Sequence, residues 1–274
     1  MAMDNRKHIN HAGRHFGYSY PKSLSQRLHA AFTPFMVIVA IFVLLRISSI
    51  FPFVSLATSP TTIAFALLAT FVRLLIAYAF AIVISIPLAL LVTRSPIMER
   101  ILLPVFDIAQ SVPVLAFFPL IIVFFIHFGF SDGAAIFVIF LSMLWNIVFS
   151  LVGGLNVVPS DIKAAAHVFG IKGGSYVRSV LIPAIVPYLV TGSLLAWAQG
   201  WNIIIVAEVL HTYIPGGAVQ NDLFGIGSML VNATANGQNG VFIIAMLAMI
   251  LLIAFLNFFI WQKLLRYAER YKFE

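Results

Sequence analysis

Few side chains in this sequence could do chemistry, and those that could stand inside apolar runs where each needs a reason. Arg46, Arg73, Asp107 and Glu208 all fall within such runs. An ionised group at membrane depth is expensive, so it faces a cavity, pairs with another group or reaches out to water. Arg46 and Arg73 lie near the ends of their runs and can extend their charged heads outward. Arg73 has two further readings, attraction of an anionic solute or pairing with Glu208. Asp107 sits two turns into its run and suits a structural role between neighbouring helices. One stretch gathers Trp197, Gln199, Trp201, Asn202 and Glu208. Polar and indole groups so placed would be costly facing lipid, so they should line a wet passage or bond helix to helix. Asn146, beside Trp145, has the same character.

Other chemistries lack their parts. The sequence holds no phosphate-cradling Gly-rich loop, no HExxH pair and no Gly-x-Ser-x-Gly elbow, so we expect no catalytic residues and no ATP hydrolysis by this chain. Cysteine is absent, which excludes disulfides, thiolate metal sites and cysteine nucleophiles. His8, His11 and His15 lie together without nearby carboxylates and read as part of a solvated tail, so no metal site is expected. An intramembrane enzyme acting on lipid phosphates would gather acidic metal ligands or basic clusters, whereas the nine acids here are scattered.

The elements that hold these residues follow from composition. Of 274 residues 62% are hydrophobic and only 9% charged, and the mean hydropathy is +1.04. A soluble domain needs roughly a quarter of its residues charged, so the bilayer is the solvent. A crossing takes about 20 apolar residues. Six stretches meet or approach that length: Ala31–Phe51, Phe71–Val92, Ile101–Phe128, Ala134–Val152, Val180–Leu210 and Val241–Trp261. The first follows a polar tail with no small-residue cleavage site and reads as a retained helix. The run from Thr61 to Thr93 is too long for one untilted span, so Thr62–Ala69 is expected as a separate interfacial or re-entrant piece. Pro104, Pro113 and Pro119 in the third span, and Pro183 and Pro187 at the entry to the fifth, predict kinks. Gly192, Ala196 and Gly200, at four-residue spacing, predict an edge for close helix packing.

Positive residues are retained on the cytoplasmic side. Arg6, Lys7, Arg14, Lys22 and Arg27 precede the first span; Arg94 and Arg100 join the second and third. Lys163, Lys172 and Arg178 join the fourth and fifth, and Lys263, Arg266, Arg270 and Lys272 follow the sixth. The opposite connections, 52–60, 129–133 and 211–240, hold no Lys or Arg. Both termini are therefore expected in the cytoplasm, with tails at 1–29 and 263–274 flanking a membrane domain at 30–262. The net charge of +7 then reflects topology and anionic headgroups; spread over four segments without aromatic platforms, it does not suit nucleic acid. The glycine-rich 211–240 segment is expected as an outer loop.

Between the fourth and fifth spans the chain runs Val158-Pro159-Ser160-Asp161-Ile162-Lys163-Ala164-Ala165-Ala166-His167-Val168-Phe169-Gly170. Ser160 as N-cap, Asp161 in the first turn, three alanines and a terminal glycine predict a short helix. Nine residues reach only ~13 Å, so it cannot cross and must lie on the cytoplasmic face. Ile162, Ala165, Ala166 and Phe169 form one apolar stripe, which either packs on the protein's own helices or docks on a cytosolic partner.

Ala164-Ala165-Ala166, three residues, Gly170, nine residues, then Val180-Leu181-Ile182-Pro183 resembles the EAA loop of ABC importer permeases, with Ala164 in place of the usual glutamate. The Arg73 region, Gln110-Ser111-Val112-Pro113 to Phe128-Gly129, and Trp197 to Glu208 are similar to the nitrate, sulfonate, taurine and bicarbonate branch. The resemblance implies an all-α, type I importer permease of about six helices in a bacterial inner membrane. It makes segment 158–175 a coupling element, with Ile162, Ala164, Ala165, Ala166, Phe169 and Gly170 seated on an ATPase. It also implies the partners: ATPase subunits that bind ATP and Mg, a second permease copy or a related permease, and an extracytoplasmic solute-binding protein. The chain itself would hold no cofactor. Arg73, Asn146, Trp197, Gln199, Trp201, Asn202 and Glu208 are the candidates for the solute pathway. A passive channel or scaffold subunit is the other reading, though a channel needs no coupling helix.

Overall fold

The computed structural model describes residues 58–214 and 217–271, and every regular element among them is helical. The predicted span Ala31–Phe51, with Arg46 and the tail histidines, lies outside the described residues. Helix α1 runs unbroken over Pro60–Val92. Its start is set by the Ser59 hydroxyl, which accepts the Thr62 N–H at 3.3 Å, and by Pro60 in the first turn, where a missing N–H does no harm. This corrects the expectation of a separate piece at Thr62–Ala69. Nothing there breaks a helix, and Ile63, Ala66, Thr70, Arg73, Leu74 and Ala77 are buried along one face. A 33-residue helix is ~50 Å long, and tilt accommodates the excess over the bilayer.

The third predicted span is two helices: α2 over Pro96–Ser111 and α3 over Phe118–His127, joined through a short 3-10 turn at Val114–Ala116. The cause is local. Pro113 pushes Val112 into extended backbone (φ −74°, ψ 123°), ending the helix before it, and Pro119 sits in the first turn of the next. What hydropathy reads as one kinked span is therefore discontinuous.

Helix α4, Ser131–Asn156, is the centre of the fold. It buries fourteen residues, from Gly133 to Leu155, and packs between α1 and α6. Helix α6, Ile182–Glu208, is entered through a single turn at Gly173–Tyr176 and a π-helical turn at Val177–Leu181. Gly192, Ala196 and Gly200 are all buried. A side chain at Gly192 would strike Ser150, and one at Gly200 would strike Met143, both on α4. The predicted small-residue edge is thus where α6 lies against α4.

The 211–240 segment is not a plain loop. Besides two 3-10 turns it contains α7, Ile226–Ala235, whose Ile226, Leu230 and Ala233 are buried against α1, α6 and α8. Helix α8, Asn239–Leu256, continues through a π-helical turn at Asn257–Trp261 into α9, Gln262–Ala268. Four described stretches are long and apolar enough to cross a membrane: Pro60–Val92, Ser131–Asn156, Gly173–Glu208 and Asn239–Tyr271.

The short helix α5 spans Ser160–Val168, with Pro159 rather than Ser160 in the cap position because its extended backbone (ψ 143°) cannot continue the helix. Gly170 ends it as predicted: at φ +68° it lets the Ile171 N–H reach the Ala166 carbonyl at 2.9 Å, a left-handed closure that favours glycine.

Candidate functional site

Two polar centres lie inside the apolar bundle, and the helix packing just described builds both. The first is a knot at the cation-poor end. Helical spacing puts Thr70 and Arg73 on the buried face of α1, and Glu208, the last residue of α6, is fully buried opposite them. Arg73 donates through Nη1 to Glu208 Oε1 at 2.8 Å and to the Phe224 carbonyl at 3.0 Å, and through Nε to Asp132 Oδ1 at 2.6 Å. Thr70 Oγ1 donates to Glu208 Oε1 at 2.6 Å.

The same groups finish another element. Helix α7 begins after Gly225, which has no side chain to cap it. The Ile226 N–H donates instead to Thr70 Oγ1 at 2.9 Å, and the Gly227 N–H to Glu208 Oε2 at 2.7 Å. Glu208 and Thr70 therefore cap α7 from other helices, and the carboxylate meets the positive end of its dipole. Any side chain at Gly225 would occupy the space of the Glu208 carboxylate. Two neighbouring clasps hold the approach: the Leu223 N–H on the Glu208 carbonyl at 3.0 Å, and His211 Nδ1 on Asp222 Oδ1 at 2.8 Å. One guanidinium thus serves two carboxylates and a carbonyl. Of the readings for Arg73, the structure shows the pairing, extended to Asp132, through Nε and Nη1.

The second centre is a groove of about 620 Å³ at the break between α2 and α3. Gln110 of α2, Pro113 and Phe117 of the break, Ser142, Trp145 and Asn146 of α4, and Gln199 of α6 face it. Counted at 1.5 Å per residue, Gln199 lies ~14 Å below the end of α6, within a stretch long and apolar enough to cross a membrane, so the groove sits near mid-membrane. Irregular backbone at that depth is tolerated where it is covered by protein or lines a wet cavity. Asn146 Nδ2 donates to the Ser142 carbonyl at 3.2 Å, while the Gln110 and Gln199 amides have no hydrogen-bond partner among the described residues. A larger groove of about 800 Å³ runs past Arg73 and Asp132, but the rest of its wall, Phe65, Leu68, Val72 and Ile76 among it, is mostly apolar.

The pathway candidates thus divide. Asn146 and Gln199 meet in the groove. Arg73 and Glu208 belong to the knot. Trp197 and Trp201 are buried; Trp197 packs among Phe71, Tyr78 and Trp261, with ring centroids 5.6–6.2 Å apart. Asn202 is exposed and lines neither centre. Sequence reasoning left Gln110 and Ser142 out of the set; the signal for Gln110 was its place just before Pro113. Asp107 is exposed on α2; its carboxylate has no partner among the described residues, and its backbone carbonyl accepts from Ser111 Oγ at 2.7 Å.

At the cation-rich end, α5 projects a mixed surface. Of the predicted stripe, Ala166 is buried, Ile162 half-buried and Ala165 exposed; Ala164, beside the stripe, is exposed too. Phe169 is 78% exposed and its neighbour Val168 81%.

The model of the family described as binding-protein-dependent transport system inner membrane component matches residues 81–266. The chain is 33% identical over 175 residues to the nitrate import permease protein NrtB of Leptolyngbya laminosa, covering 64% of this chain and 58% of that one. It is 30% identical over 149 residues to the bicarbonate transport system permease protein CmpB of Synechococcus elongatus, covering 54% and 52%. To the taurine transport system permease protein TauC of Escherichia coli it is 27% identical over 190 residues, covering 69% and 64%. The matched stretch thus spans little more than half the length of these relatives.

Proposed function

Since the chain belongs to the binding-protein-dependent transport system inner membrane components, we propose that it is the membrane-spanning permease subunit of an ATP-driven importer of a small anion. The observation that carries this reading is α5: a short helix between two spans, at the cation-rich end, with Val168 and Phe169 bared to solvent. Two large apolar side chains so exposed suit the pocket of a cytosolic partner. That partner is an ATPase subunit, which binds ATP and Mg; this chain supplies Ile162, Ala164, Ala165, Ala166, Phe169 and Gly170 to the contact. A second permease copy or related permease, and an extracytoplasmic solute-binding protein, complete the assembly.

Its seat is a bacterial inner membrane, a reading supported by the family's description, with both termini in the cytoplasm, a reading supported by the Lys and Arg distribution. Residues 1–29 and 263–274 are then cytoplasmic tails. The choice of a small anion, in the class of nitrate, bicarbonate, sulfonate or taurine, is supported by what the relatives are named for. The route is the mid-membrane groove holding Asn146 and Gln199.

Phe169→Glu is the test. It removes an exposed side chain without touching the core, so the chain should still fold and insert, but co-purification of the ATPase and ATP hydrolysis in nanodiscs should fall at least tenfold, since a buried aromatic anchor is worth about 2 kcal/mol or more. Unchanged association and turnover would return the chain to the channel or scaffold reading.

A further inference from the structure

Among the described residues the mid-membrane groove is lined without a single ionisable side chain, and from this we infer that it selects its solute by charge: Gln110, Trp145 and Gln199 carry a singly charged oxyanion on neutral hydrogen-bond donors. The inference rests on the importer reading above and adds to it the residues and the charge class. The donors are free. The Gln110 and Gln199 amides and the Trp145 indole N–H have no hydrogen-bond partner among the described residues, and Phe106 packs on the Trp145 ring with centroids 5.6 Å apart. Ser142, by contrast, spends its one donor on backbone carbonyls of its own helix, while Asn146 gives one amide N–H to the Ser142 carbonyl and keeps the second.

Arg73, the basic pathway candidate, is not among the groove's lining and sits in the knot with Glu208 and Asp132. The nearest ionisable side chain on α2 is Asp107, three residues before Gln110 and outside the lining; its sign opposes accumulation of anions. The desolvation cost of an ion grows with the square of its charge. A few neutral donors can offset that cost for one diffuse charge and fall far short for two. They also hold the ion weakly enough to release it, as conduction requires, where a fixed cation would trap it.

The experiment is ATP-driven uptake by the assembled importer in liposomes, with its co-purified ATPase and binding protein, using labelled nitrate, bicarbonate and taurine as probes. Gln110→Leu and Gln199→Leu should each lower the maximal rate of nitrate or bicarbonate uptake about five- to tenfold, the worth of one lost hydrogen bond. The half-saturating concentration of loaded binding protein and the amount of ATPase that co-purifies should not move, which separates a pathway role from a structural one. Gln199→Glu keeps the side chain's size and serves where the Leu variants fail to assemble; it should lower anion uptake more than tenfold. Wild-type rates in the assembled variants, Gln199→Glu included, would overturn the inference and leave the importer reading standing. So would a wild type that carries taurine and neither oxyanion. A wild type that carries none of the three takes down both the solute class and this inference.

Discussion

At the scale of single residues, Arg73 has the most to lose. It is 8% exposed and faces two carboxylates, so Arg73→Met would leave the buried Glu208 without its counter-charge in an apolar setting and deprive the half-exposed Asp132 of its partner. Breaking a buried pair in this way costs about 3–5 kcal/mol, which should appear as a much lower unfolding temperature in detergent. Arg73→Lys should recover only part of the loss, because one ammonium cannot present Nε to Asp132 and Nη1 to Glu208 and Phe224 together. Pairing of Arg73 with Glu208 was legible in the sequence, since both charges had to be neutralised at similar depth. The part played by Asp132 was not. It reads as an ordinary acid in a short connection, and only the first turn of α4 carries it under Arg73. For Trp197 and Trp201 the sequence left a wet passage and helix-to-helix contact both open; their rings lie in the core, and Trp197 Nε1 has no hydrogen-bond partner among the described residues.

Among the elements, apolar run length found the long helices because every backbone group in a bilayer must be bonded within its own segment. It did not find the discontinuity at Val112–Phe117, since hydropathy averages over a break that leaves the chain apolar throughout. Pro113→Ala should let α2 extend into this stretch and slow amide hydrogen exchange at 112–117 by the several-fold expected for each backbone bond gained. Helix α7 was hidden by its glycines. Its stripe of Ile226, Leu230 and Ala233 was present all along, but a ten-residue helix falls below the length at which a crossing is recognised. The end of α5 was the most readable local feature. Gly170→Ala places a Cβ at φ +68°, where nothing crowds it but the backbone itself is strained by about 1 kcal/mol. The variant should lower the unfolding temperature slightly, and the last turn of α5 should exchange its amide protons faster.

For the whole molecule, the distribution of Lys and Arg assigns sides, and the absence of cysteine makes that assignment simple to test. Phe130→Cys and Val168→Cys introduce single thiols at exposed positions near opposite ends of α4 and α5. A membrane-impermeant maleimide should label Phe130→Cys in spheroplasts and label Val168→Cys only after permeabilisation; the reverse pattern would invert the topology. The knot at the cation-poor end also bears on how the chain is made. Its members enter synthesis far apart: Thr70 and Arg73 first, then Asp132, then Glu208, and last the 224–227 segment that supplies a carbonyl and two N–H groups. Until residue 227 has left the ribosome and reached the far side, Arg73 and Glu208 lack part of their bonding in the bilayer. Nascent chains stalled before that point should therefore be the form that membrane quality-control proteases recognise, and closure of the knot should mark the moment at which the subunit escapes them.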